Sequence, residues 1–257
     1  MADQIQVHRI RKYASGIDHL AQQKFTRLRS AVRVETDVNA KISFWDQIDS
    51  IGMIKKTARH SNTPILDMPH ERRSLRTNTF ETGALVDPSD LTTVLNDPTG
   101  AYGQSMAMAA GRQMDDIIIE AADANALTGE DGDQTSELPA TQIDTTVAAM
   151  SVAKWLQAKR VLDGNEVDPS QMRHAWMTSN QYEDVLGVTP VDNAVVSADY
   201  NTVKALVRGE IDTFLGFKFG RSERLNMDVT VPNNRKCLFY VQNCLLLGVA
   251  TDVKGRV

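Results

Sequence analysis

Hydrophobic positions fall into a sustained helical rhythm over one long stretch of the 257-residue chain, Asp97 to Gly129. Ala107, Ala110, Met114, Ile117, Ile118 and Ala121 recur at three- and four-residue steps, laying one apolar stripe along a helix. Asp97 can cap its start, Pro98 suits the first helical position, and Gly129 suits a left-handed C-terminal cap. About thirty such residues make a spine roughly 45 Å long. Gly100, Gly103 and Gly111 lie in its early turns and predict that another segment presses closely on them.

Before the spine the pattern is weaker. Residues 1–40 carry scattered cations and isolated apolar residues, too few to fold alone, and read as an extended arm with one short helix at Ile17–Leu28. Residues 41–60 supply Ile42, Phe44, Trp45, Ile48, Ile51 and Ile54, enough for a strand or helix anchoring the arm. Over 61–90, Pro64 and Pro69 argue against a central strand, and Leu75 to Phe80 alternate in strand fashion. The pattern predicts a long hairpin, 64–71 with 74–86, its tip near Glu71–Ser74. Such a hairpin is marginal in isolation and should rest on another subunit.

After the spine, helical and strand periods alternate, which favours a mixed α/β body. A helix is predicted over Val147–Leu162, ended by Gly164, and a strand over Arg173–Thr178. A short helix capped by Ser179 should run to Leu186, and another turn or two should cover Asn201–Arg208. Phe214–Phe219 and Lys236–Val249 read as strands, the latter placing Cys237 and Cys244 on opposite faces, which makes a disulfide between them improbable.

Charge sharpens this picture. Residues 1–80 hold 14 Lys+Arg against 8 Asp+Glu, and residues 81–257 hold 14 against 25. A basic end and an acidic body suit self-association, with nucleic-acid contact by the basic end as the alternative. No run is apolar enough for a membrane span, and the N-terminus lacks a signal-peptide core, so a cytoplasmic protein is expected.

No active site is legible. There is no P-loop, nucleophile elbow or zinc helix. Asp163–Asp168 and Glu130–Asp133 resemble calcium loops but miss the EF-hand spacing, and read as solvated turns. His8, His19, His60, His70 and His174 are far apart, and Asp115 and Asp116 point about 100° apart on a helix, so they cannot work on one substrate. The two aspartates read as exposed charges or as partners for a neighbour's arginine. No catalytic residue, metal ligand or cofactor site is predicted.

The order of parts resembles the major capsid protein of tailed bacteriophages, with its Hong Kong 97-type α+β shell fold. The local matches are the spine AMAAGRQMDDIIIEAA with the following Leu127–Gly129, and Ser197–Phe219 with its Phe214-Leu215-Gly216-Phe217 strand entry; Lys218 stands where a proline often follows. The resemblance implies an N-terminal arm at 1–40, an anchor at 41–60 and an extended β-hairpin loop at 61–90. It further implies a peripheral domain with the spine at 91–129, an α/β axial domain at 130–225, and C-terminal strands at 226–257 returning to the peripheral domain. It implies hexamers and pentamers of this chain in an icosahedral virion shell around double-stranded DNA, assembled in the host bacterial cytoplasm. Scaffolding, portal and decoration proteins are the implied partners. With about 40 residues before Lys41 there is no room for a long scaffolding segment, so a separate scaffolding protein or prior removal is expected. Some members weld the shell through a lysine, and 61–90 contains none. Arg72, Arg73 and Arg76 are expected to meet Asp115, Asp116 or Glu120 of an adjacent copy. The alternatives are an encapsulin-type compartment shell and, from another class, a soluble α/β enzyme.

Overall fold

Arg173–Met177 has five residues and all five are buried, so this strand must be covered on both faces. The computed structural model describes residues 19–36, 38–60, 62–87, 89, 98–146, 148–186, 213–228 and 234–254. The chain divides into a smaller unit (Met1–Thr26, Phe80–Gln113, Val253–Val257) and a larger one (Arg27–Thr79, Met114–Asp252).

The described strands are β1 (Arg33–Thr36), β2 (Ile42–Ile48), β3 (His70–Arg76), β4 (Ala126–Thr128), β5 (Gln134–Ser136), β6 (Arg173–Met177), β7 (Thr213–Phe214), β8 (Phe217–Arg221), β9 (Leu238–Val241) and β10 (Leu246–Val249). The helices are α1 (Thr99–Asp123), α2 (Val152–Gly164) and α3 (Ser179–Leu186). Three sheets result, in the orders β1-β10, β2-β3-β4-β5 and β7-β8-β6-β9. β6 runs parallel to β8 and antiparallel to β9, the mixed pairing that the alternation of elements predicts.

Alternation along β6 feeds two cores. Trp176 faces one, with Leu28, Ala31, Val32, Ile118, Ile119, Leu225 and Tyr240. Ala175 and Met177 face the other, with Met150, Val152, Trp155, Tyr182, Phe214 and Phe217. Trp155 on α2 is fully buried; its ring stacks on Phe219 at 4.8 Å and meets Phe214, Phe217 and Phe239 edge-on. Gly220 on β8 lies against the Trp176 ring, where a Cβ would come within 2.5 Å of its carbons, so no larger residue fits.

Several expected boundaries move. α1 has 25 residues, about 37 Å at the helical rise. It stops at Asp123 because 126–128 pair with β5, and Gly129 (φ 94°) turns that hairpin instead of capping the helix. Among the described residues, only Gly111 of the three spine glycines is approached, its Cβ position lying 3.3 Å from the Thr26 nitrogen, and nothing lies within 4 Å of the Cβ positions of Gly100 and Gly103. The buried stripe of α1 in the larger unit is Asp115, Ile118 and Ile119, rotated from the predicted one, and Ala121 is exposed.

The hairpin is also displaced. Ile42 pairs with Arg76 and Ile48 with His70, so its strands are 42–48 and 70–76, and its connection is 49–69. Glu71–Ser74 lies in mid-strand, not at a tip, and the supposed anchor supplies the first strand. No helix forms over 19–28; a 3-10 turn follows at Arg29–Ala31, and the chain is part of the body from Arg27 onward. α2 starts at Val152, five residues later than predicted. The cap of α3 is Thr178 and not Ser179: Gln181 Oε1 accepts the Thr178 N–H at 3.1 Å, half of a capping box. Phe214–Phe219 is not one strand: Leu215 (φ 51°) and Gly216 (φ 87°) form a two-residue hairpin turn between β7 and β8. Lys236–Val249 is broken by a 3-10 turn at Gln242–Cys244, so β9 joins β6 while β10 joins β1. Asn201–Arg208 falls outside the described residues.

Truncating Trp155 to Ala should remove about 4 kcal/mol of stability, read as a lower midpoint in urea, because the phenylalanine rings packed on it would lose their common neighbour. Glu223 gives a pH prediction. The Ser179 hydroxyl and N–H hold its carboxyl below the ordinary 4.5. A carboxyl lowered on folding contributes stability that is present above pH 4.5 and lost as pH falls through the lower folded value. The acid limb of the stability-versus-pH curve should therefore flatten in Glu223→Gln.

Candidate inter-subunit surface

Arg72 is the best-anchored side chain of the hairpin. Antiparallel register sets it opposite Asp46, and its Nε donates to Asp46 Oδ1 at 2.7 Å while a terminal nitrogen reaches Oδ2 at 3.5 Å. Its other nitrogen donates to the Glu130 carbonyl at 3.4 Å, and the guanidinium lies 5.4 Å from the Phe44 ring centre. The hydrogen bond from Arg72 holds the Asp46 carboxyl below its usual range and correspondingly raises Arg72. Arg73 pairs with Glu71 at 3.1 Å and sits opposite Thr128 of β4. Arg76 is exposed at the end of β3. One cross-strand charge pair, Arg72–Asp46, thus links the two strands of the hairpin.

The acidic candidates separate. Asp115 has no exposed surface. Its carboxylate accepts the Arg27 N–H at 3.0 and 3.1 Å and the Leu28 N–H at 3.1 Å. This corrects its expected role, since a carboxylate closed inside its own chain offers nothing to a neighbour. Asp116, one residue on, faces elsewhere and is held by the Arg224 guanidinium. Asp123 takes the Lys236 ammonium at 2.7 Å and the Asn226 amide at 3.2 Å. Glu120 is exposed between them. The structure therefore does not bring the arginine and aspartate sets together within one chain.

The histidines are likewise apart. His19 bonds Gln104 at 3.2 Å, His60 is exposed, and His70 opens β3. His174 is buried beside the Tyr240 ring, and burial first, then Lys218, pulls its pKa down. Burial pushes Tyr240 up to about 12 and Cys237 up to about 11. His8 lies outside the described residues. Asp163 is spent on the buried Arg173 at 2.8 Å, and Asp168 on the Ser170 N–H at 2.8 Å. Among the described residues no cluster of three metal-ligating side chains occurs, and no helix is long and apolar enough to cross a membrane.

What the surface offers instead is exposed apolar reach. In the larger unit, Ile48, Ile51, Met53, Ile54, Ile65 and Met68 along the β2–β3 connection are all exposed, Met53 and Ile65 almost completely. Lys55, Lys56 and Arg59 stand exposed among them. The sequence reading missed these three cations because it put the tip at the wrong place. The signal was available in Ile42–Ile48, a run rich in β-branched and aromatic residues that needs a partner strand. Lys55 and Lys56 lie on this connection, outside the 61–90 span expected to form the loop.

A family model for phage capsid proteins matches residues 5–257. The chain belongs to the phage capsid protein family. Similar solved structures agree on the fold of this capsid protein. One from Mycobacterium phage Che8 is 14% identical with a TM-score of 0.65, covering 95% of this chain and 84% of that one. The capsid structure of Cyanophage P-SCSP1u gives 15%, 0.60, 95% and 80% in the same order. The Cyanophage Pam1 capsid asymmetric unit gives 15%, 0.63, 88% and 76%. No curated protein matches in sequence. The encapsulin and enzyme alternatives draw no support from these comparisons. The capsid protein is a structural component of a tailed-phage head, has the Hong Kong 97-type α+β fold, and works as one subunit of a multi-subunit shell in the virion.

Asp115→Ala should leave the Arg27 and Leu28 donors buried without an acceptor and cost about 3 kcal/mol. Asp115→Asn, which keeps one accepting oxygen, should lose roughly half as much by the same principle in urea unfolding.

Proposed function

We propose that this capsid protein closes an icosahedral head as hexamers and pentamers, each copy laying its β2–β3 hairpin over a neighbour, and that it performs no reaction. The observation that carries this reading is the exposure of Met53 and Ile65, at 101% and 98%, on the connection of a hairpin whose strands pair in register from Ile42–Arg76 to Ile48–His70. A soluble monomer seldom displays large apolar groups on a projecting loop, whereas a tile that reaches across a seam buries them on assembly. Double-stranded DNA would fill the shell without sequence-specific contact, and portal, scaffolding and decoration proteins would complete it in the host cytoplasm. Residues 91–129 would form the peripheral domain and 130–225 the axial domain, with β9 now counted with the axial sheet. Arg76 and Glu120, both exposed, stay candidates for contacts between copies.

Electron microscopy of the purified protein should show closed particles. Met53→Asp combined with Ile65→Asp should leave the monomer's circular dichroism unchanged and lower particle yield at least tenfold. Normal yield from that variant would remove the hairpin from the seam, and a discrete monomer or dimer from the unaltered chain would defeat the shell reading itself.

A further inference from the structure

The charge on the hairpin connection points to its partner, if the reading of the hairpin as a reaching element is accepted. The connection holds three cations, Lys55, Lys56 and Arg59, clustered in its first half, and two acids, Asp49 and Asp67, near its ends. All three cations are exposed, and among the described residues no ion pair holds them. The exposed Met53 and Ile54 precede them and the exposed Ile65 follows, so the connection presents apolar and positive groups side by side.

The body carries one matching surface of opposite character. The turn from β4 to β5 reads EDGD, and Glu137 follows β5 directly, giving four carboxylates and no cation over 130–137. Glu130, Asp131, Asp133 and Glu137 are all exposed. The turn is a rigid platform: Gly129 and Gly132 both take left-handed φ (94° and 68°), and the Gly132 N–H closes it on the Gly129 carbonyl at 3.3 Å. Among the described residues no ion pair holds these four carboxylates. Arg72 feels Glu130 and Asp131 through space, while its fork is spent on Asp46 and its hydrogen bond to the turn goes to the Glu130 carbonyl. The acidic spine residues are poorer targets, since Asp115 is closed and Asp116 and Asp123 already hold Arg224 and Lys236.

We propose that the β2–β3 connection of one copy docks on the β4–β5 turn of a second copy, Lys55, Lys56 and Arg59 lying over Glu130, Asp131, Asp133 and Glu137. The exposed Met53, Ile54 and Ile65 that flank the cations are covered in the same step. Opposite surface charges steer and register such a contact more than they strengthen it, so its formation should weaken as salt rises.

Reciprocal charge exchange tests the pairing in full-length protein. Lys55→Glu with Lys56→Glu and Arg59→Glu should cut shell yield at least tenfold by sedimentation and electron microscopy. Glu130→Lys with Asp131→Lys and Asp133→Lys should do the same, and joining the two sets should restore yield to within threefold of the unaltered chain. Carbodiimide applied to unaltered shells should join Lys55 or Lys56 to a peptide holding the 130–137 carboxylates, a readout independent of any variant's folding. The pairing is overturned by undiminished yield from the first set, or by lysine links found only on other carboxylates. A folded combined variant no better than its parents overturns it as well. Any of these leaves the shell function standing, whereas failure of the unaltered chain to form particles defeats that function first.

Discussion

One buried carboxylate sets where the outer parts of this protein begin. Asp115 takes two backbone N–H groups, those of Arg27 and Leu28, and has no contact with water. Because the donors belong to the main chain, the grip does not depend on which side chains the incoming segment carries. Leu28 then drops into the core beside Ile118, Ile119 and Trp176, and four residues after Arg29 the chain enters β1 against β10. Charge-assisted hydrogen bonds of this kind are about twice as strong as neutral ones, and breaking them leaves both sides unsatisfied. Two weaker ties follow the same course, Arg29 to Asp252 at 3.0 Å and Gln242 to the Ser30 carbonyl at 3.3 Å. The N-terminal entry is therefore fixed at a point, and the hairpin that follows it is rooted in a fixed place.

From that root outward, order is spent unevenly. β6, covered on both faces, and the Trp155 cluster hold the interior by dispersion and burial, roughly 1.5–3 kcal/mol for each large side chain. The hairpin is held by register and by the Arg72–Asp46 pair, an exposed contact worth little on its own. The described residues of its connection are all exposed, Met53 and Ile65 almost completely. This gradient is what a shell subunit requires: an interior that survives assembly unchanged and a limb whose stable environment is supplied by the next copy. Had the limb its own core, it would conform less readily to the neighbouring copies of a multi-subunit shell.

The gradient also explains what could be read from the chain. The spine, β6 and α3 were legible as elements, but the boundary signals expected for the two helices were not those that operate: Gly129 turns a hairpin, and Thr178, not Ser179, caps α3. The long hairpin was legible as a need, but not as a register. Leu75 to Phe80 alternate as well as any strand, yet pairing stops at Arg76, where Ile42 ends opposite it. Short-range alternation cannot say where a partner strand ends. Asp115 was misread for a related reason. Hydropathy treats a carboxylate as a solvent-facing residue, and only its place between Gly111 and the Ile118–Ile119 pair, four and three residues apart on one helix face, marks it as inward. A buried acid needs donors, and those donors lay 87 and 88 residues away.

The sharp division of charge between the two parts of the sequence has its place in the same gradient. A basic N-terminal third and an acidic remainder would be a poor design for an isolated protein if each half stayed near its own kind, since like charges on one surface oppose compaction. Within the chain, only some of that charge is consumed: Arg224, Lys236 and Arg29 close on Asp116, Asp123 and Asp252, all in the larger unit. Among the described residues, two exposed places of opposite sign carry part of the charge left over, the hairpin connection and the β4–β5 turn. Each pair they could form across a seam is worth only about 0–1 kcal/mol. In a closed surface that weakness is an advantage, because a misplaced copy can leave while a correctly placed one is retained by several neighbours at once.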